Sequence, residues 1–229
     1  MIMKLLIIAC LAVAVFGHTF DKEDTKVFKS AFRRTCINNG VEDKAPQAEA
    51  ALDAVIECFK AQIDPDIIRN EIEAARPKGT VDEVFKKYCD KKPAFKACIK
   101  TLYDGIYPCL HPNIRGHLNL DKNATDSFLN FICHNDGERI ALFIAEGGSE
   151  CFDANEAQMR QCVSNMGKDI DATDEVKNMS IDTFCKRITA VTSCTVTALE
   201  GCTSPTPSNM AEALFNYVKN STPCKDHGS

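Results

Sequence analysis

Cys89-Asp-Lys-Lys-Pro-Ala-Phe-Lys-Ala-Cys98-Ile-Lys-Thr-Leu-Tyr-Asp-Gly-Ile-Tyr-Pro-Cys109 indicates the fold class of this 229-residue chain. Its apolar side chains recur every three or four residues, which predicts a helix beginning near Pro93. In one unbroken helix, Cys98 and Cys109 would be separated by a rise of about 16 Å. A disulfide needs Cα atoms within about 7 Å. We therefore expect each of the two cysteines to bond to another helix, unless Gly105 or Pro108 breaks this one sharply.

The cysteine layout repeats later in the chain. Pairing Cys36, 58, 89, 98 and 109 with Cys133, 151, 185, 194 and 202 gives offsets of 97, 93, 96, 96 and 93 residues. Glu57-Cys58-Phe59 also recurs as Glu150-Cys151-Phe152. This near-constant offset predicts an internal duplication, with a first helical copy at residues 18–133 and a second at 134–229. Each copy is expected to hold about five helices.

The predicted fold class is an all-α, disulfide-stapled helical bundle. Helix starts are indicated by Asp64-Pro65, by the capping-box pattern Thr80-Val81-Asp82-Glu83 and by Ser180. The β-branched run at 189–197 resembles a strand in isolation. Its alignment with the helix around Cys98 favours a helix instead.

Residues 1–17 have the three-part pattern of a cleavable secretory signal. Lys4 precedes an apolar run, and Val15-Phe16-Gly17 precedes His18 with tolerated residues at the cleavage site. The alternative is a membrane anchor, but the run is shorter than the roughly 20 residues that span a bilayer. The sequence therefore predicts a secreted, extracellular protein.

The cysteines after the signal form an even set of twelve, which in a secreted chain indicates a disulfide framework. They are Cys36, Cys58, Cys89, Cys98, Cys109, Cys133, Cys151, Cys162, Cys185, Cys194, Cys202 and Cys224. The duplication predicts three disulfides within each set of six and none between the sets. In that scheme Cys162 takes the role that Cys36 has in the first copy. The connectivity itself stays open.

Two other uses of the cysteines are disfavoured. No Cys-x-x-Cys motif occurs, and the five histidines do not have zinc-ligand spacing, so redox catalysis and zinc binding are not indicated.

Three sequons predict N-glycosylation at Asn123, Asn178 and Asn220. Pro223 follows the third sequon directly and weakens the prediction there.

The charge pattern excludes two classes of partner. Without Lys4, 26 Lys and Arg stand against 32 Asp and Glu, a net charge of −6 with the signs interspersed. Nucleic-acid binding and attachment to an anionic membrane are therefore not expected.

No catalytic, cofactor-binding or metal-binding residues are predicted. Gly147-Gly148-Ser149-Glu150 lacks the Gly-x-Ser-x-Gly elbow and a preceding strand, so it is interpreted as a turn that ends a helix. The acidic run at 169–175 begins like a calcium loop but lacks glycine at its sixth position and glutamate at its twelfth. His111 and His134 are interpreted as surface or capping residues.

The signal peptide, the twelve cysteines, the repeated Glu-Cys-Phe and the repeated Cys-x8-Cys-x7–10-Cys spacing resemble the insect 27 kDa haemolymph glycoprotein family. This resemblance covers the whole mature chain. It implies a glycosylated protein of haemolymph, and it implies no enzymatic activity and no catalytic residues.

The expected function is that of a non-catalytic binding or carrier protein for an apolar small molecule. The alternative is an extracellular structural or defence protein that acts through its surface. The residues leave the ligand and the oligomeric state undetermined.

Overall fold

The computed structural model describes residues 22–115, 120–168 and 180–226, and in these ranges the regular structure is helical. The predicted all-α fold class is confirmed. The α-helices are α1 Lys22–Asn38, α2 Ala45–Gln62, α3 Pro65–Ala75, α4 Val81–Cys89, α5 Lys92–Ile106, α6 Pro112–Arg115, α7 Leu120–Ile132, α8 Glu138–Ala145, α9 Gly148–Lys168, α10 Ile181–Glu200 and α11 Thr206–Asn220.

Two of the three predicted helix caps form. The carboxylate of Asp64 accepts hydrogen bonds from the backbone N–H groups of Asp66 and Ile67 at the start of α3. The hydroxyl of Ser180 accepts from Thr183 N–H at the start of α10. The capping-box prediction at Thr80 is wrong, because its side chain makes no capping hydrogen bond although α4 does begin at the next residue. The preceding 3₁₀ turn brings Thr80 N–H to the carbonyl of Ala75 instead.

Helices α2 and α5 form the tightest pair in the first part of the chain. A Cβ atom on Gly105 would overlap with the Cβ of Ala51, so the backbone of α5 lies directly against the Ala51 side chain of α2 at that level. Farther along the pair, Phe59 and Phe95 stack with ring centroids 5.8 Å apart. The two helices are thus in contact through small residues at Gly105 and Ala51 and through aromatic rings at Phe59 and Phe95.

One apolar core runs through the first part of the chain and beyond it. Side chains of α1 to α5 are joined by those of α7 and α8 and by Leu214 and Val218 of α11. The largest side chains in this core that are completely buried are Phe32, Leu52, Leu102, Ile106 and Ile144. The core is therefore continuous past residue 133, and the proposed division into two copies at that point stays a prediction.

The β-branched run at 189–197 is helical, as predicted, and lies inside α10. The hydroxyls of Thr189, Thr192 and Thr195 are satisfied within the helix. Thr189 donates to the carbonyl of Cys185, and Thr195 donates to that of Val191. These local bonds let Thr195 be buried, at 4% exposure, without an unpaired hydroxyl.

Candidate functional site

Six disulfides use all twelve cysteines that follow the predicted signal. They are Cys36–Cys109, Cys58–Cys98, Cys89–Cys133, Cys151–Cys202, Cys162–Cys194 and Cys185–Cys224. Each bond stays within one set of six, so the prediction of three bonds per set is confirmed. Cys98 and Cys109 each bond to another helix rather than to one another, as the helix geometry of the opening stretch requires.

The pairing order is the same in the two sets. In each set the first cysteine bonds to the fifth, the second to the fourth and the third to the sixth. This shared order supports the proposed duplication, which itself stays a prediction.

The role predicted for Cys162 is wrong. Cys151 bonds to Cys202 and so takes the place that Cys36 has in the first set. Cys162 bonds to Cys194, as Cys58 bonds to Cys98.

Helix geometry explains why Cys151, and not Cys162, has the place of Cys36. Cys36 and Cys58 lie on separate helices, α1 and α2, whereas Cys151 and Cys162 lie on one long helix, α9. Eleven residues of helix place Cys162 about 16 Å beyond Cys151 on the same face. Helix α10 runs antiparallel to α9. Cys151 therefore bonds to Cys202, just past the end of α10, and Cys162 bonds to Cys194 within α10.

The sequons fall in different surroundings. Asn220 is exposed and is the last residue of α11. Asn123 lies on α7, and Thr125 of the same sequon is buried at 8% exposure. Asn178 lies outside the described residues. Glycosylation at all three positions stays a prediction.

A polar cluster joins α3 to α4. Tyr88 is buried, and its hydroxyl donates a 2.9 Å hydrogen bond to Oε2 of Glu71. Lys87 donates to the other oxygen of Glu71, which lowers the pKa of that carboxyl. Burial and then the Glu71 carboxylate raise the pKa of Tyr88. Each polar group here has a partner within the protein, so the cluster holds helices together rather than presenting a reactive group.

The other chemical motifs considered from the sequence are found as follows. Gly147 lies in the turn after α8, whereas Gly148, Ser149 and Glu150 form the first turn of α9, so only the start of this motif is a turn. Glu150 forms a 2.8 Å ion pair with Arg76. His134 is exposed at the start of a 3₁₀ turn, and His111 is partly buried. The acidic run at 169–175 lies outside the described residues. Within the described ranges, no group of three His, Cys, Asp or Glu side chains is placed to hold a metal ion.

One surface combines exposed apolar side chains with a cation, and sequence reasoning missed it. We call it the Arg139 surface, and it consists of Arg139 and Leu142 on α8, Tyr217 on α11 and the ring of Phe131 on α7, which is itself buried at 6% exposure. The guanidinium of Arg139 lies 4.3 Å from the ring centroid of Phe131. The ring centroids of Phe131 and Tyr217 are 5.7 Å apart. Leu142 and Tyr217 are 50% and 45% exposed.

This surface could not be found from sequence periodicity. Its side chains belong to three helices, and two of those helices are separated by more than seventy residues. The only local signal is the spacing of Arg139 and Leu142, which are neighbours on one helix face.

No helix in the described ranges has the length and hydropathy needed to cross a membrane. No solved structure matches the chain.

Comparison with known proteins gives consistent relatives. The "27 kDa hemolymph glycoprotein" of Manduca sexta is 40% identical over 226 residues, covering 98% of this chain and 97% of the relative. The "27 kDa glycoprotein" of Bombyx mori is 39% identical, with coverages of 98% and 96%. The "27 kDa hemolymph protein" of Galleria mellonella is 38% identical, with coverages of 98% and 97%.

A family model described as "Protein of unknown function (DUF1397)" matches residues 22–224. The haemolymph relatives and the six disulfides together identify a secreted, extracellular protein. The chain therefore belongs to the DUF1397 family and, with these relatives, to the 27 kDa haemolymph glycoproteins.

Proposed function

We propose that this haemolymph protein is a non-catalytic carrier that binds an apolar small molecule with an acidic head group at the Arg139 surface. The observation that supports this is the pairing of exposed apolar side chains with a guanidinium. A disulfide-stapled scaffold holds that pairing in place before any ligand arrives.

The cation of this surface is available to a ligand carboxylate. Arg139 donates to the backbone carbonyl of Phe131, at 3.4 Å, and lies over its ring. The acidic residues next to it in sequence are used elsewhere: Asp136 pairs with Lys86 at 2.8 Å, and Glu138 accepts from the Asn135 amide. An arginine presents several donors in a fixed fork that matches a carboxylate.

The apolar part of the ligand would cover Leu142 and Tyr217. Tyr217 already packs on Phe131, with ring centroids 5.7 Å apart, and still exposes nearly half of its surface. Covering exposed apolar area contributes roughly 25 cal/mol per Å². An aliphatic chain lying across both side chains would therefore add affinity to the contact with Arg139.

A fluorescent fatty acid tests the proposal. Dansyl-undecanoic acid is titrated into the wild type, Arg139→Gln, Leu142→Ser and Tyr217→Ala, with unlabelled oleate as competitor. We expect saturable binding that oleate reverses, and several-fold weaker binding in all three variants. Ile67→Ser is the matched control, because Ile67 is exposed to 51% but lies on α3, outside the surface.

Two results would contradict the carrier role. One is that the labelled acid fails to bind the wild type. The other is that Ile67→Ser weakens binding as much as Tyr217→Ala, which would indicate non-specific adsorption. Native mass spectrometry of the protein from insect haemolymph gives an independent readout, since a carrier should retain a small apolar acid.

A second candidate function is binding of a protein partner in haemolymph. Ile37 and Tyr107 are exposed to 46% and 38% and flank the Cys36–Cys109 bond. Arg115 lies 5.8 Å from the Tyr107 ring centroid. Loss of a co-purifying protein in Tyr107→Ser, with fatty-acid binding unchanged, would favour this second function.

A further inference from the structure

The third sequon lies directly beside a disulfide. Asn220 ends α11, and Cys224 follows four residues later in the 3₁₀ turn Pro223–Lys225. Cys224 is 2% exposed and is bonded to Cys185, which is completely buried. The segment that a transferase would have to reach is therefore anchored into the protein at its C-terminal side.

Folding also engages the hydroxyl on which the sequon depends. Thr222 Oγ1 donates to the carbonyl of Lys219 at 2.8 Å and accepts from Cys224 N–H at 3.3 Å. Ser221 Oγ donates to the carbonyl of Val218 at 2.7 Å. Both hydroxyls thus help to end α11, and the sequon is held in a closed helix end.

Oligosaccharide transfer needs the same groups in another arrangement. The transferase binds the asparagine amide together with the hydroxyl two residues later, and it acts on an accessible segment. With the Cys185–Cys224 bond closed, Thr222 Oγ1 is hydrogen-bonded to the turn that this bond anchors. Pro223 favours early formation of that turn because its φ angle is already fixed.

We propose that glycosylation of Asn220 competes with closure of the Cys185–Cys224 disulfide during folding in the secretory pathway. In glycosylation, Asn220 Nδ2 bonds to the first sugar, loses one proton and displaces the lipid-linked diphosphate. In closure, the two thiols lose two protons and two electrons to a disulfide of an oxidoreductase, which is reduced to a dithiol. Chains that close the bond first leave Asn220 without a glycan.

The test measures glycan occupancy in insect cells. Wild type, Cys224→Ser and Cys185→Ser are expressed, and total cellular and secreted protein is digested with a glycosidase in ¹⁸O-water and mapped by mass spectrometry. Because intracellular chains are included, a variant that is not secreted still gives a result. We expect the occupied fraction of Asn220 to rise in both variants, while Asn123 and Asn178 in the same digests stay unchanged.

The matched control is the double variant Cys162→Ser/Cys194→Ser. It removes a bond from the same half of the chain but leaves the C-terminal turn intact. An equal rise at Asn220 in this control would overturn the proposal, since it would reflect slow folding in general. Full occupancy of Asn220 in wild type with an intact Cys185–Cys224 bond, or unchanged occupancy in Cys224→Ser, would overturn it as well.

Discussion

Gly105 of α5 lies against Ala51 of α2 so closely that the two helices meet backbone to side chain, with no room for a second Cβ atom. The Cys58–Cys98 bond links the same two helices. The α2–α5 pair therefore depends both on a covalent link and on a glycine at one level.

Replacing Gly105 with alanine should destabilise the protein in spite of alanine's higher helix propensity. Overpacking of this kind costs about 1–3 kcal/mol, which should appear as a lower urea midpoint. Gly201→Ala is the control, because a Cβ there meets only the carbonyl oxygen of Ala198, at 3.9 Å. Equal midpoints for Gly105→Ala and wild type would show that the helices separate easily at this level.

The helix caps give a second matched pair of variants. Asp64→Ala removes two hydrogen bonds to backbone N–H groups at the start of α3 and should cost roughly 1 kcal/mol. Thr80→Ala should change stability by less than about 0.5 kcal/mol, since Thr80 makes no capping hydrogen bond. Urea unfolding of both variants measures the difference, and a larger loss in Thr80→Ala would contradict the cap assignment.

The Tyr88–Glu71 contact should make stability depend on pH at both ends of the range. The folded-state pKa of Tyr88 lies above its unfolded value of 10.0, so its contribution is complete below that pH and is lost as pH rises through the folded-state pKa. The folded-state pKa of Glu71 lies below 4.5, so its contribution is present above that pH and is lost as pH falls through the folded-state pKa.

Two substitutions separate the alkaline and acid limbs of the curve of stability against pH. Tyr88→Phe should flatten the alkaline limb above about pH 10, and Glu71→Gln should flatten the acid limb below about pH 4.5. Tyr217→Phe, at an exposed tyrosine, is the control for the alkaline limb. Parallel alkaline limbs for Tyr88→Phe and wild type, measured by urea unfolding, would rule out this role for Tyr88.

Partial reduction should open the disulfides in a fixed order. Cys194 is exposed, so an external thiol should attack the Cys162–Cys194 bond first. Both ends of Cys36–Cys109 and of Cys185–Cys224 are buried to 2% exposure or less, and these bonds should open last. Alkylation at timed intervals, followed by mass spectrometry, measures the order in which the bonds open. Early alkylation of Cys36 or Cys224 would contradict the burial of these two cysteines.

Local sequence patterns predicted the helices well because the patterns and the helices share one physical cause. Asp64-Pro65 and Ser180 are strong caps, and the structure uses them. Thr80 opens a different pattern, the capping box, but the 3₁₀ turn that precedes it brings its N–H to the carbonyl of Ala75. A four-residue motif does not include that turn.

The cysteine equivalences show the other limit. Glu57-Cys58-Phe59 and Glu150-Cys151-Phe152 match as letters, yet Cys58 and Cys151 occupy different places in the pairing order. The pairing follows the order of the cysteines within each set, whether the first two lie on separate helices or on one long helix. Matching short motifs by letter therefore assigned Cys151 to the wrong place. The Arg139 surface was likewise missed because it is assembled from three helices.

Two sets of six cysteines are bonded in one shared order, first to fifth, second to fourth and third to sixth. Proteolysis without reduction, followed by mass spectrometry of the cross-linked peptides, measures this order. We predict the six bonds Cys36–Cys109, Cys58–Cys98, Cys89–Cys133, Cys151–Cys202, Cys162–Cys194 and Cys185–Cys224. A peptide that joins any cysteine up to Cys133 with any cysteine from Cys151 onward would contradict the claim, as would a bond between Cys151 and Cys194.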